Sequence, residues 1–130
     1  MALPAKVLVD TSVFVEFFRG REVTAFQTLL LNNQILLSSY VRLELLQGVP
    51  KQALTKIEYV LGGLEKIQPH DDMMNQAEAL LTKVKGSGLT LGIVDLLIAA
   101  ESILLGAPIY SLDKIFSKLG HLNLISLFEP

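Results

Sequence analysis

The sequence of 130 residues contains no cysteine, and its only histidines are His70 and His121. The lack of cysteine excludes disulfide bonds and thiolate metal sites, and we expect a cytoplasmic protein. Both histidines lie in polar, turn-like stretches, which support neither a histidine metal site nor a Ser-His catalytic triad. A metal site or catalytic centre therefore has to be built from other side chains.

Long apolar runs and an excess of basic residues are also missing. Although 51% of the residues are hydrophobic, no stretch reaches the ~18 to 20 uninterrupted apolar residues of a membrane span. The N-terminus has neither a long apolar region nor a cleavage site, so we predict no signal peptide. The net charge of −2 argues against a broad basic surface that coats nucleic acid. It leaves room for a small site in which a bound cation supplies the positive charge.

Short apolar strands alternate with amphipathic helices along the whole chain. We predict strands at 6–9, 34–37, 65–68, 108–111 and 123–127, with helices at about 13–18, 23–31, 38–48, 51–61, 71–85, 93–105 and 113–119. This order indicates an α/β domain with a mainly parallel sheet of about five strands. Ligands of such sheets bind beyond the carboxyl ends of the strands. Because Asp10 and Asp113 both come just after a predicted strand, we expect them to share one site.

Four acidic residues lie in apolar surroundings: Asp10, Glu44, Asp95 and Asp113. Each aspartate is near a predicted helix start, where it could instead cap the helix or interact with the helix dipole. Glu44 does not fit that alternative, because it lies in mid-helix with hydrophobic residues on both sides. Carboxylates this close would repel one another or take up protons unless a cation compensated them. We therefore predict that the four converge on a hard cation, Mg²⁺ or Mn²⁺.

Three segments carry a resemblance to a known family: VLVDTSVFVEFFRG, SSYVRLELLQG and VDLLIAAESILLGAPIYSLDKIF. In their order and spacing they resemble the PIN-domain family, and within it the VapC-like ribonuclease toxins of toxin–antitoxin systems. The resemblance covers nearly the whole chain. It implies a single PIN-like domain over residues 1–130 with a three-layer α/β/α fold. The four acids match the four acids of the family, Thr11 and Ser12 match its hydroxyl pair, and Ser111 stands where the family usually has threonine.

The resemblance also implies a function, namely hydrolysis of RNA phosphodiester bonds with Mg²⁺ or Mn²⁺. Asp10, Asp95 and Asp113 would hold the metal, and Glu44 would be a further ligand or would orient or deprotonate the attacking water. The hydroxyls of Thr11 and Ser111 would fix the carboxylates by hydrogen bonds. The family further implies a homodimer and a cognate antitoxin as partner.

Other classes of protein fit the sequence less well. A phosphatase of the haloacid-dehalogenase type needs a second aspartate two residues after the first, where this chain has Ser12. A receiver domain needs an acidic pair before its phosphorylated aspartate, and the chain shows none. A PIN-like nucleic-acid-binding or regulatory module without catalysis stays open. Several basic residues near the motifs are candidate phosphate contacts, with solvated surface charge as the alternative: Arg19, Arg21, Arg42, Lys114 and Lys118.

Overall fold

The computed structural model describes residues 5–130, in which short strands alternate with helices. In chain order the elements are β1 (Val7–Val9), α1 (Thr11–Phe18), α2 (Thr24–Leu31), β2 (Ile35–Leu37), α3 (Ser39–Gly48), a 3₁₀ turn (Lys51–Ala53), α4 (Leu54–Gly62), β3 (Glu65–Lys66), α5 (Met73–Val84), α6 (Ile93–Leu105), β4 (Ile109–Tyr110) and α7 (Lys114–His121). The order of strands and helices agrees with the sequence prediction over most of the chain.

The four strands form one parallel sheet in the order β3-β2-β1-β4. Every side chain of β1 and β2 is buried. Because successive side chains of a strand point to opposite faces, helices must cover both faces of the sheet. The predicted α/β/α arrangement is confirmed. At the edge, both residues of β3 are exposed.

The helices pack in pairs that place two of the acidic residues near each other. Helix α1 packs against α3, and α6 packs against both α3 and α5. Helix α6, which carries Asp95, therefore lies beside the helix that carries Glu44. The longest helix, α6, has 13 residues. In the part of the chain from residue 5 onward, no helix has the length and hydropathy needed to cross a membrane.

The strand predicted at 123–127 does not form, so the sheet has four strands and not about five. Only Leu127 makes a bridge, to Ile109. Two backbone hydrogen bonds join Ile109 to Ser126 and Phe128, and the pairing extends no further along β4, which has just two residues. The Leu127 side chain also packs on Gly120, where the Cβ atom of a larger residue would force the leucine side chain to move.

Candidate active site

Asp10 lies where the chain passes from β1 to α1, and its side chain does not cap the helix. Although Asp10 occupies the N-cap position of α1, its carboxylate accepts no hydrogen bond from the helix backbone. Its Oδ2 accepts hydrogen bonds from the hydroxyls of Ser111, at 2.7 Å, and Ser12, at 3.0 Å. The residue is only 5% exposed. Both bonds go to Oδ2, which leaves Oδ1 available to a ligand.

The two serines form a network that joins the ends of neighbouring strands. Their hydroxyl oxygens are 3.2 Å apart. The Ser12 hydroxyl accepts the backbone N–H of Leu112 at 2.9 Å, and the Ser111 hydroxyl accepts that of Asp113 at 3.0 Å. These bonds hold the β1–α1 junction against the β4–α7 junction. The orientation of the Asp10 carboxylate is therefore fixed from two separate parts of the chain.

Glu44 reaches the same junction from the middle of α3. The Thr11 hydroxyl donates a hydrogen bond of 2.6 Å to its Oε1. The glutamate is half-buried, and α3 begins at the carboxyl end of β2 with Ser38 as its N-cap. Thr11 and Ser12 thus divide their roles, since one hydroxyl contacts Glu44 and the other contacts Asp10.

Asp95 lies in the first turn of α6 and shows the electrostatic consequence of this arrangement. Its pKa is raised from the usual 3.8 to about 6, first by burial and then by the negative charges of Asp10, Asp113 and Glu44. The side chain is half-buried and makes no N-cap hydrogen bond, since the N-cap position belongs to Gly92. The charges of the other three predicted acids therefore act on Asp95 through space.

Asp113 differs from the other three because it is exposed and also caps a helix. Its Oδ1 accepts the backbone N–H of Ile115 at 3.1 Å, at the start of α7. The capping alternative, which Asp10 does not follow, thus holds for Asp113. One carboxylate oxygen is used by the cap, and the negative charge still acts on Asp95.

The donor set suits a hard divalent cation, because all four groups are carboxylates within electrostatic reach of one another. In residues 5–130, however, no three carboxylate or imidazole groups already stand as a coordination cluster. Like charges repel, so we expect the carboxylates to close only around a cation that compensates them.

The basic residues near the motifs fall into two groups. Arg21 pairs with Glu16 at 2.6 Å, and Arg42 pairs with Glu58 at 2.8 Å. These guanidinium groups are already engaged by carboxylates. Other basic residues take no part in the ion pairs found in residues 5–130: Arg19, Lys114 and Lys118.

Sequence reasoning missed one buried acid, Glu101. It lies on α6 and is 7% exposed, and burial raises its pKa. The hydroxyl of Ser38 donates a hydrogen bond to its Oε1. The signal was present in the sequence, because Glu101 interrupts the apolar stretch LLIAAESILL just as Asp95 interrupts the residues before it.

Comparison with known proteins identifies the family of the chain. The sequence profile described as the PIN domain matches residues 7–122. The chain belongs to the PIN domain family. No curated protein matches the chain.

Solved structures narrow the resemblance to VapC-like proteins. The chain is similar to a structure of VapBC2 from Rickettsia felis bound to a DNA fragment from their promoter, with 25% identity and a TM-score of 0.79. The match covers 94% of this chain and 96% of that one. DNA-bound VapBC from Salmonella typhimurium matches with a TM-score of 0.82 at 17% identity, over 96% of this chain and 98% of that chain. The lower identity of this second match supports the fold alone. Together with the family assignment, these matches confirm the predicted resemblance to VapC-like PIN domains.

Proposed function

We propose that this protein is a metal-dependent endoribonuclease and the toxin of a toxin–antitoxin pair, acting in the cytoplasm as a single PIN-like domain over residues 1–130. The observation that carries the proposal is that Asp95, half-buried in α6, lies within reach of the charges of Asp10, Asp113 and Glu44, which add to burial in raising its pKa. An acidic pocket repels an anionic phosphodiester, so the pocket needs a cation before RNA can bind.

Asp10, Asp95 and Asp113 are the proposed metal-holding residues. Bound Mg²⁺ or Mn²⁺ would neutralise the phosphate oxygens and lower the pKa of a water molecule. Oδ1 of Asp10 would be the metal-binding oxygen, because its Oδ2 is held by Ser12 and Ser111. Asp113 would contribute the oxygen that its helix cap does not use.

Glu44 is the proposed residue that orients the attacking water or accepts its proton, with direct metal binding as the alternative. Thr11 holds its Oε1, and Oε2 makes no side-chain hydrogen bond in residues 5–130. A carboxylate oriented on one side and open on the other can accept a proton at a defined position.

The RNA backbone would be bound by the basic residues that are not engaged in ion pairs. Lys114 directly follows Asp113, Lys118 lies one turn further along α7, and Arg19 ends α1. Arg21 and Arg42 are weaker candidates because each already pairs with a glutamate. Charge-assisted contacts of this kind set the position of the backbone without reading its sequence.

An apolar groove beside Glu44 is the proposed binding surface of an antitoxin. It has a volume of about 340 Å³, and its lining includes Val15, Phe18, Arg19, Glu44, Leu45 and Val49. An amphipathic segment could place its apolar side chains in this groove and a basic residue against Glu44. RNA cleavage would then be blocked because the acids would be neutralised by the antitoxin and not by metal.

A homodimer is proposed on the basis of exposed apolar side chains. Leu31, Tyr59 and Ile93 are 86%, 87% and 70% exposed. Exposed apolar side chains are typical of a surface that a partner covers where they form one continuous patch, and the proposal requires that these do so across the dimer contact. Sedimentation at tens of micromolar, where a weak dimer would still form, tests this point, and a monomer there would contradict a stable homodimer.

A second candidate function is nucleic-acid binding by a PIN-like module without catalysis. The observation in its favour is that the acids of residues 5–130 do not stand as a ready-made coordination cluster. A binding module would bind RNA in Mg²⁺ and would leave the RNA intact.

RNA cleavage by the purified protein separates the two candidates. We expect cleavage of a structured RNA in Mg²⁺ or Mn²⁺, no cleavage in EDTA, and recovery when metal is restored. Asp71→Asn is the matched control, because Asp71 is an exposed aspartate in a turn far along the chain from the motifs. Asp10→Asn should abolish cleavage while the control retains it, and equal activity in both variants would refute the nuclease assignment.

A further inference from the structure

A second acidic site lies at the carboxyl end of β2 and β3, away from the four carboxylates. It is a cavity of about 350 Å³, called here the Glu101 cavity, and its lining includes Tyr40, Ile67, His70, Met73, Met74 and Glu101. Glu101 follows Asp95 by six residues on α6, so it lies about 9 Å further along the axis and about 120° around it. The cavity is therefore separate from the proposed nuclease site.

Glu101 contributes a carboxylate that the protein leaves largely uncompensated. Its Oε1 accepts the Ser38 hydroxyl. The residue takes part in none of the ion pairs of residues 5–130. In residues 5–130, every side-chain oxygen that is fully buried has a hydrogen-bond partner. Oε2 of Glu101 accepts no hydrogen bond from this part of the chain, so it cannot be fully buried and must be open to the cavity that Glu101 lines. A buried carboxylate without a positive partner is stabilised when a cation binds beside it.

The walls of the cavity restrict which cation would bind. Ile67, Met73 and Leu104 are apolar, and Met74 and Leu105 extend the apolar surface to the rim, where they are 60% and 44% exposed. A small hydrated metal ion would gain nothing from these apolar side chains. A charged head on an aliphatic stem would contact both the carboxylate and the apolar side chains.

We propose that the Glu101 cavity binds an arginine side chain of a protein partner, with apolar residues of that partner on the Met74–Leu105 rim. Guanidinium is weakly hydrated, makes a forked pair with a carboxylate and stacks on an aromatic ring, which Tyr40 supplies beside Glu101. The proposal rests on charge complementarity and on the apolar rim. It does not depend on the nuclease activity.

Peptide binding to the intact protein tests the proposal. The probe is acetyl-Leu-Arg-Leu-amide, and its matched control contains citrulline, which has the shape of arginine without the charge. Methyl-labelled Met73 and Met74 report occupancy of the cavity by NMR at pH 8. We expect saturable shifts with the arginine peptide and at least tenfold weaker binding of the citrulline peptide. Equal affinity for the two peptides, or no methyl shift, would overturn the proposal.

Variants of the protein test which carboxylate binds the peptide, and a smaller probe tests whether the site accepts a free cation. Glu101→Gln keeps the size of the side chain and can still accept a hydrogen bond from the Ser38 hydroxyl. It should weaken binding of the arginine peptide at least tenfold. Asp95→Asn should leave peptide affinity within twofold, whereas a loss there would assign binding to the other acids. Butylguanidinium should bind more weakly than the tripeptide, and equal binding would show a site for free cations and refute a protein partner.

A measurement on the wild-type protein covers the case in which Glu101→Gln does not fold. The carboxyl carbon of Glu101 can be titrated by ¹³C NMR with and without the arginine peptide. A bound guanidinium should lower the pKa of Glu101, and an unchanged pKa at saturating peptide would contradict the proposal.

Discussion

The two acidic regions at the carboxyl edge of the sheet use the same chemical group in opposite ways. At β1 and β4, four carboxylates lie within electrostatic reach of one another, and hydroxyls hold two of them. At β2 and β3, a single carboxylate is buried among apolar side chains and held by one hydroxyl. Crowded carboxylates favour a multivalent cation, whereas an isolated one in an apolar cavity favours a monovalent organic cation. The number of neighbouring acids therefore determines which kind of cation each site is expected to bind.

The largest expected effect is the loss of RNA cleavage in Asp95→Asn. The substitution preserves shape but removes a proposed metal ligand, and metal stabilisation of the transition state is worth several kcal/mol, so we expect a drop of at least about 10³-fold. Single-turnover cleavage at saturating Mg²⁺ measures it. A rate within tenfold of wild type would remove Asp95 from the metal site.

The next effect in size concerns the hydroxyls that position the acids. Ser111→Ala removes the 2.7 Å hydrogen bond to Asp10. We expect metal affinity or cleavage to fall about 10- to 100-fold, as for other groups that orient metal ligands. Ser111→Thr, which keeps the hydroxyl, should retain activity. If alanine and threonine behave alike, the hydroxyl has no positioning role.

A third prediction addresses the isolated acid. Ser38→Ala removes the hydrogen bond to Glu101 and also the N-cap of α3, whose side chain accepts the Tyr40 N–H. We expect the free energy of unfolding to fall by about 2 kcal/mol, measured by urea denaturation. Ser117→Ala, on the exposed surface of α7, is the control and should change little.

The smallest predicted effect is a pH-dependent gain in stability of Asp95→Asn without metal. The raised pKa of Asp95 means that the folded state binds the proton more tightly than the unfolded state. The carboxyl therefore costs the metal-free wild type stability as pH rises from about 4 to about 6. Above pH 6, the variant should be more stable by about 1 kcal/mol, after allowance for solvent screening.

Thermal unfolding in EDTA at pH 4 and pH 7.5 checks this sign. The two proteins should melt together at pH 4, and the variant should melt about 3 to 5 °C higher at pH 7.5. A variant that melts below wild type at pH 7.5 would make Asp95 a structural residue and not one of a crowded set.

The sequence was sufficient to predict the order of most strands and helices, because these elements leave strong local signals. The same kind of local signal singled out the four acids as a candidate site. Alternating apolar runs mark the strands, and a carboxylate in an apolar run, such as Asp10, marks a compensated charge. The prediction of a strand at 123–127 was wrong, because this segment can pair only along the length of β4, which the local sequence does not reveal. Glu101, like Asp95, is an acidic residue within an apolar stretch of sequence. The two differ only in tertiary packing, which places Asp95 among other acids and Glu101 in an apolar cavity.

Binding of Mn²⁺ to the metal-free protein, followed by electron paramagnetic resonance at pH 7.5, tests most directly whether the crowded acids form one cation site. We predict saturable binding to the wild type and to Asp71→Asn, and affinity reduced at least tenfold in Asp95→Asn. Glu101→Gln should bind Mn²⁺ like the wild type, because its carboxylate belongs to the other region. Equal Mn²⁺ affinity in wild type and Asp95→Asn, or a loss in Glu101→Gln as large as in Asp95→Asn, would contradict the assignment.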